Sequence, residues 1–158
     1  MTNTVNEPTG SGYWGLISEN LNGQPNCDDQ INLPLSYRIV NPDLNSIQLQ
    51  LYKSKTLDDS TQIKIPMMDG AIYPATLKRS QSIPLEWQDK FGIAAFSGHI
   101  NNMYGTMIRL EIDSSSIRFM TVSEKGTEIL MRVCKESDSK YILFNKKDLP
   151  PGSKTVFE

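Results

Sequence analysis

Gly12-Tyr13-Trp14-Gly15-Leu16-Ile17-Ser18-Glu19 opens the first apolar run of the chain, and the turn cluster Asn20-Leu21-Asn22-Gly23-Gln24-Pro25 follows at once. A glycine two residues ahead of a tryptophan, just after a polar tail, predicts an opening strand that carries a large ring into the core. Outward from it, the chain breaks into short apolar runs separated by turn residues. Ile47, Leu49 and Leu51 alternate with Gln48, Gln50 and Tyr52, and Ile63, Ile65 and Met67 with Gln62 and Lys64, so each stretch predicts a half-buried strand. Met68-Asp69-Gly70-Ala71 marks a hairpin, expected as a type I′ turn with positive φ at both central residues. Pro66 and Pro74 push their strands towards an edge or a bulge.

The second half repeats the pattern more regularly. Ile93–Phe96, Met107–Ile112, Ile117–Val122, Ile129–Cys134 and Tyr141–Phe144 are runs parted by Asn101-Asn102, Asp113–Ser116, Glu124–Thr127 and Glu136–Ser139. Turns this short force sequence neighbours to pair antiparallel. The expectation is an all-β fold, an antiparallel meander of about 8–10 strands closing into a barrel that leaves no exposed edge. One segment departs from the two-residue period: Ser82, Pro84 and Gly92 bracket a short helix near 84–91. It sets Trp87 and Phe91 at i and i+4, on one helical face. The predicted organisation is a flexible tail over 1–11, one barrel domain over 12–145 and a C-terminal loop or tail over 146–158.

With its opening Gly12-x-Trp14, then Leu16, Ile17, Ser18 and the Asn22-Gly23 turn, the chain resembles lipocalin-like (calycin) β-barrel domains. The resemblance implies that Trp14 closes one end of the barrel, with a late-strand arginine, Arg132 or alternatively Arg118, packed across its ring. It also implies a non-catalytic domain that takes a small apolar or amphipathic ligand into the barrel. Tyr37, Tyr52, Trp87, Phe91 and Phe119 are the candidate ligand contacts, with the segment bearing Trp87 and Phe91 as a lid. The alternative is a solid barrel of the same architecture that acts through protein contact, as an inhibitor, immunity factor or cell-envelope accessory.

Composition narrows the remaining classes. At 158 residues the chain suits one domain. A net charge of −2 offers no basic surface for nucleic acid. The apolar runs are far shorter than the roughly 20 residues of a spanning helix. Two cysteines are present, Cys27 and Cys134. Paired, they would close a loop of roughly 100 residues worth about 4.7 kcal/mol in the chain-entropy model and would place the protein in an oxidising compartment, the periplasm, cell envelope or outside. Unpaired, Cys134 is an inert buried thiol. Residues 1–11 carry no signal segment and have the composition of a flexible tether, one route to a membrane-tethered form.

Chemistry finds little purchase. His99 is the single histidine, too few for a zinc site with the cysteines paired, and Ser97-Gly98-His99 lacks an acid to orient the ring. Asp28-Asp29 and Asp58-Asp59 read as solvated loop carboxylates. No phosphate-binding glycine loop or nucleophile elbow occurs, so neither enzyme activity nor a cofactor is expected.

Overall fold

The computed structural model describes residues 12–15, 33–54, 56–133 and 141–152. Eight strands form one antiparallel sheet curled into a half-barrel: β1 (Arg38–Val40), β2 (Ser60–Pro66), β3 (Ile72–Arg79), β4 (Ala94–Ile100), β5 (Met107–Ile112), β6 (Ile117–Ser123), β7 (Gly126–Arg132) and β8 (Tyr141–Asn145). The spatial order is β1-β8-β7-β6-β5-β4-β3-β2. From β2 to β8 each strand pairs with its sequence neighbour, the meander that the short turns predict. Two α-helices accompany it, α1 (Leu44–Leu51) between β1 and β2 and α2 (Leu85–Phe91) between β3 and β4. The second is the helix expected near 84–91.

Two expectations of secondary structure are corrected. The segment 46–52 is helix, not strand. Asp43 accepts a hydrogen bond from the Ser46 N–H at 3.2 Å and one from its hydroxyl at 2.8 Å, the side-chain cap that starts a helix. Ile47 and Leu51, four apart, are buried, whereas Leu49 is 74% exposed. Residues 12–14 likewise form a 3₁₀ turn in place of a strand, although Trp14 is fully buried as expected. The β2–β3 hairpin is corrected in its turn type. The Gly70 N–H donates to Met67 O and the Met67 N–H to Ala71 O. Gly70 is the turn residue with positive φ, 89°, so the loop is a type I turn followed by a bulge glycine.

Trp14 and α1 fill the inner face of the sheet. Strand alternation brings Ile63, Ile65, Leu77, Phe96, Leu110, Phe119, Leu130 and Leu143 to the same side, in one buried cluster with Trp14, Ile47 and Leu51. The Trp14 and Phe119 rings meet edge to face, with centroids 5.6 Å apart. Burial of each large apolar side chain contributes about 1.5–3 kcal/mol. A second cluster covers the outer face of β7 and β8, where Tyr37, Ile39, Ile129, Met131, Ile142 and Phe144 pack with Leu33 and Leu149.

The gap between the edge strands β1 and β2 is bridged by side chains and turns, not by a ladder. The Asn41 N–H, just past β1, donates to Trp14 O at 2.9 Å, and the Trp14 indole N–H donates to Lys64 O of β2 at 2.6 Å. Gln50 of α1 donates to Gln62 O at 2.7 Å. These bonds occupy outward carbonyls of an edge that would otherwise invite another strand. At one rim, Arg38 Nε donates to Met68 O at 2.9 Å, and the Met68 N–H donates to Glu128 of β7, also at 2.9 Å. Arg38, Asp69, Tyr73 and Glu128 gather there, the Tyr73 hydroxyl donating to Asp69.

Burial holds the Glu128 carboxyl above its ordinary pKa. The Met68 N–H opposes that rise, and Asp69 adds to it. A raised folded pKa means that the native state holds the proton more tightly than the unfolded chain does. Glu128 therefore favours folding most below its unfolded pKa, and that contribution fades as pH rises through the folded value. Glu128→Gln keeps an acceptor for Met68, so thermal melts taken upward from about pH 4 should show a smaller decline in Tm with pH than the parent. An unchanged pH dependence would contradict this account.

Candidate interaction surface at the helical rim

At the opposite rim stands α2. Leu85 and Glu86 enter its first turn, Lys90 lies in its last, and Gly92 ends it at φ 67°, the left-handed conformation in which helices commonly stop. Its one buried side chain is polar. Gln88 Oε1 accepts from Arg79 Nη2 at 2.8 Å and from the Ala95 N–H at 3.0 Å, while Nε2 donates to Ser80 O and Ile83 O at 2.7 Å each. One amide thus uses both its donors and its acceptor to fix the helix on the ends of β3 and β4. Arg79 is stacked below it, its guanidinium 5.5 Å from the Phe96 ring centre.

The rest of α2 faces outward. Trp87 is 57% exposed and Phe91 60% exposed. Their rings meet edge to face at 6.5 Å, as the i, i+4 spacing predicts, and the Lys90 ammonium lies 5.5 Å from the Phe91 ring centre. The paired rings form an apolar projection on a polar mount, and Leu85, on another side of the helix, is 37% exposed. Gln88→Ala would leave Ser80 O, Ile83 O and the Ala95 N–H without their partner. The expected cost is about 2 kcal/mol, confined to α2: amide exchange over 85–91 should accelerate while β5 and β6 stay protected. Unchanged exchange over 85–91 would show that Gln88 is not what holds the helix.

The five candidate ligand contacts are divided among three places. Phe119 is in the inner core beside Trp14, and Tyr37 is buried in the outer cluster. Tyr52 sits at the C-cap of α1, where burial raises its pKa, Arg79 opposes the rise and Asp113 adds to it. It therefore shares the rim with Arg79, Gln88 and α2, and only Trp87 and Phe91 are brought into contact as a pair. Burial alone would raise the pKa of Asp113, yet hydrogen bonds from Ser115 and Ser116 outweigh it and leave the group below its ordinary value. The Asp113 carbonyl accepts from Gln48 at 2.7 Å, tying α1 to the β5–β6 turn.

Of the two arginine candidates, Arg132 shares the inner face with Leu130 by strand alternation. Arg118 is on the outer face, where its Nη2 lies 2.5 Å from the buried Glu111, and Arg109 holds the other oxygen of that carboxylate at 3.0 Å. Cys27 and Cys134 lie outside the described residues. His99 stands opposite Met107 on the sheet, and no group of three or more His, Cys, Asp or Glu side chains capable of holding a metal occurs among the described residues. No helix of the described residues is long and apolar enough to cross a membrane.

No protein-family model, no curated protein and no solved structure matches the chain. The functional reading therefore rests on the surface itself. The sequence does not signal Gln88, because nothing local distinguishes a buried glutamine from a solvated one. Its role depends on backbone groups that β3 and β4 deliver.

Proposed function

We propose that this chain is a non-catalytic protein-contact domain, a packed β half-barrel that presents Trp87 and Phe91 to an apolar pocket on a partner protein. One observation carries the reading: the inner face is filled while the two aromatic rings point away from it. A lipocalin-like ligand cup would need space where Trp14, Ile47, Leu51 and Phe119 stand, each fully buried. Exposed aromatic anchors on a rigid mount are the usual hot spots of protein interfaces. An inhibitor or accessory role in the cell envelope follows if Cys27 and Cys134 are bonded, since such a bond persists in an oxidising compartment.

The test is a benzoylphenylalanine photo-crosslinker at position 87, paired with the variant W87A/F91A. Both side chains are exposed, so the double variant should keep its fold to within about 1 kcal/mol. It should bind the crosslinked protein about 100-fold or more weakly, as expected for two hot-spot aromatics. Binding unaffected by the double variant would overturn the proposal. Saturable quenching of Trp87 by fatty acids, with no protein crosslinked, would return the weight to a small apolar ligand.

A further inference from the structure

We propose that the β4–β5 hairpin carries a site for a soft monovalent cation of the copper(I) class, with His99, Met103 and Met107 as its ligands. The site stands apart from the protein contact at α2, which precedes β4 at the other end of that strand. His99 of β4 and Met107 of β5 are directly opposed in the antiparallel ladder, so their side chains leave the same face with Cβ atoms about 4.5–5.5 Å apart. Both side chains are exposed, Met107 at 55%. No hydrogen bond among the described residues engages the His99 ring. Met103 joins the pair from the turn, and all three residues line one open hollow of about 440 Å³. Donors that share one ion, at bond lengths of about 2.0–2.3 Å, stand roughly 4 Å apart, within reach of an imidazole and a thioether on directly opposed residues.

The turn is held by its own backbone. The Met103 N–H donates to Ile100 O at 3.3 Å, and Met103 O accepts from the Thr106 N–H at 3.0 Å, while Asn102 and Gly105 take φ of 62° and 78°. The donors then select the ion. Thioether sulfur is soft and favours copper(I), which imidazole also suits. Residues 99–107 hold no carboxylate and no thiol, so the ligand set is neutral and a bound ion keeps its whole charge. Lys78, paired with Ser97, lies diagonally across from His99 on the same face. Its ammonium opposes a divalent ion twice as strongly as a monovalent one. Zinc, which is held by several imidazoles, thiolates or carboxylates, is disfavoured on both counts.

Silver(I), a redox-stable stand-in for copper(I), tests the site by NMR titration of the full chain, with any free thiol of Cys27 and Cys134 alkylated beforehand so that neither takes the ion. His99 is the single histidine, so its ring signals identify themselves. The His99 ring and the Met103 and Met107 ε-methyl groups should shift together and saturate at one equivalent. Met107→Leu is close in volume and sits at an exposed position, so the fold should hold. It should weaken silver(I) binding by at least the roughly 10–100-fold that loss of a mere outer-shell partner costs, and His99→Gln should do the same. Any of the three side chains unmoved at saturation, Met107→Leu binding silver(I) as the parent does, or zinc(II) moving the same signals at an equal or lower concentration overturns the proposal.

Discussion

Trp14→Ala lowers stability by about 3–5 kcal/mol, the loss expected for a fully buried indole. In a domain with 5–15 kcal/mol in all, that is a large share. Trp14 acts in two ways. Its ring is fully buried against Phe119, and its main-chain oxygen and indole N–H join the end of β1 to the middle of β2. Trp14→Phe separates the two contributions, because it keeps a ring while leaving Lys64 O without its donor, at about 1–3 kcal/mol. Urea midpoints of the two variants are the measurement. A loss under about 1 kcal/mol for alanine would mean that residues 12–14 only rest on the sheet.

Gly98→Ala is the second large effect, about 3 kcal/mol, at the upper end of overpacking costs. A methyl built on Gly98 would lie 1.8 Å from the Thr76 carbonyl oxygen, a backbone atom of the paired strand that no side-chain rotation relieves. Either β3 and β4 separate at the Leu77–Gly98 pair or β4 bends away from its partner. Gly105→Ala is the control. Its added methyl would meet nothing within 4 Å, and its φ of 78° charges only the local conformational cost, about 1–2 kcal/mol. If the two variants melt together, the close approach at Gly98 is not what holds that position to glycine.

Much of the sheet is legible in the sequence because period two is unambiguous where turns bound it. Ile108, Leu110 and Ile112 alternate against Arg109 and Glu111, and the structure keeps the first three in the inner core while Glu111 is buried on the outer face between Arg109 and Arg118. The segment 46–52 reads from its alternation as a strand, and the structure makes it a helix. Ile47 and Leu51 satisfy a helical spacing, while Ile47, Leu49 and Leu51 satisfy a strand, and the decision falls to the Asp43 cap and to the concave surface that receives one helix face. Trp14 is legible as a buried ring but not as a bridge, since its partners Asn41 and Lys64 become neighbours only when the sheet curls. At the rim, the pairing of Trp87 with Phe91 follows from their spacing, whereas the direction they face does not. An amphipathic rule sends the aromatic face inward. Here a single buried glutamine on the flank of that face, about 100° round the helix from Trp87, anchors α2 and leaves the rings exposed.

The pairing of β1 with β8 joins Arg38 to Leu143 and Val40 to Tyr141, positions about a hundred residues apart, where closing the loop is slow and entropically opposed. Short hairpins join β2 to β3 and link β4, β5, β6 and β7 in turn, and α2 spans the step from β3 to β4, so refolding should show an early phase that builds the meander and a later one in which the first strand arrives. Until that arrival Trp14 lacks the Asn41 N–H that holds its main-chain oxygen beside β1, Lys64 O of β2 waits for the indole N–H, and the concave side stays wet. Chaperone dependence and losses during refolding should trace to this interval, and a circular permutant that places residues 33–52 directly after β8 should shorten it.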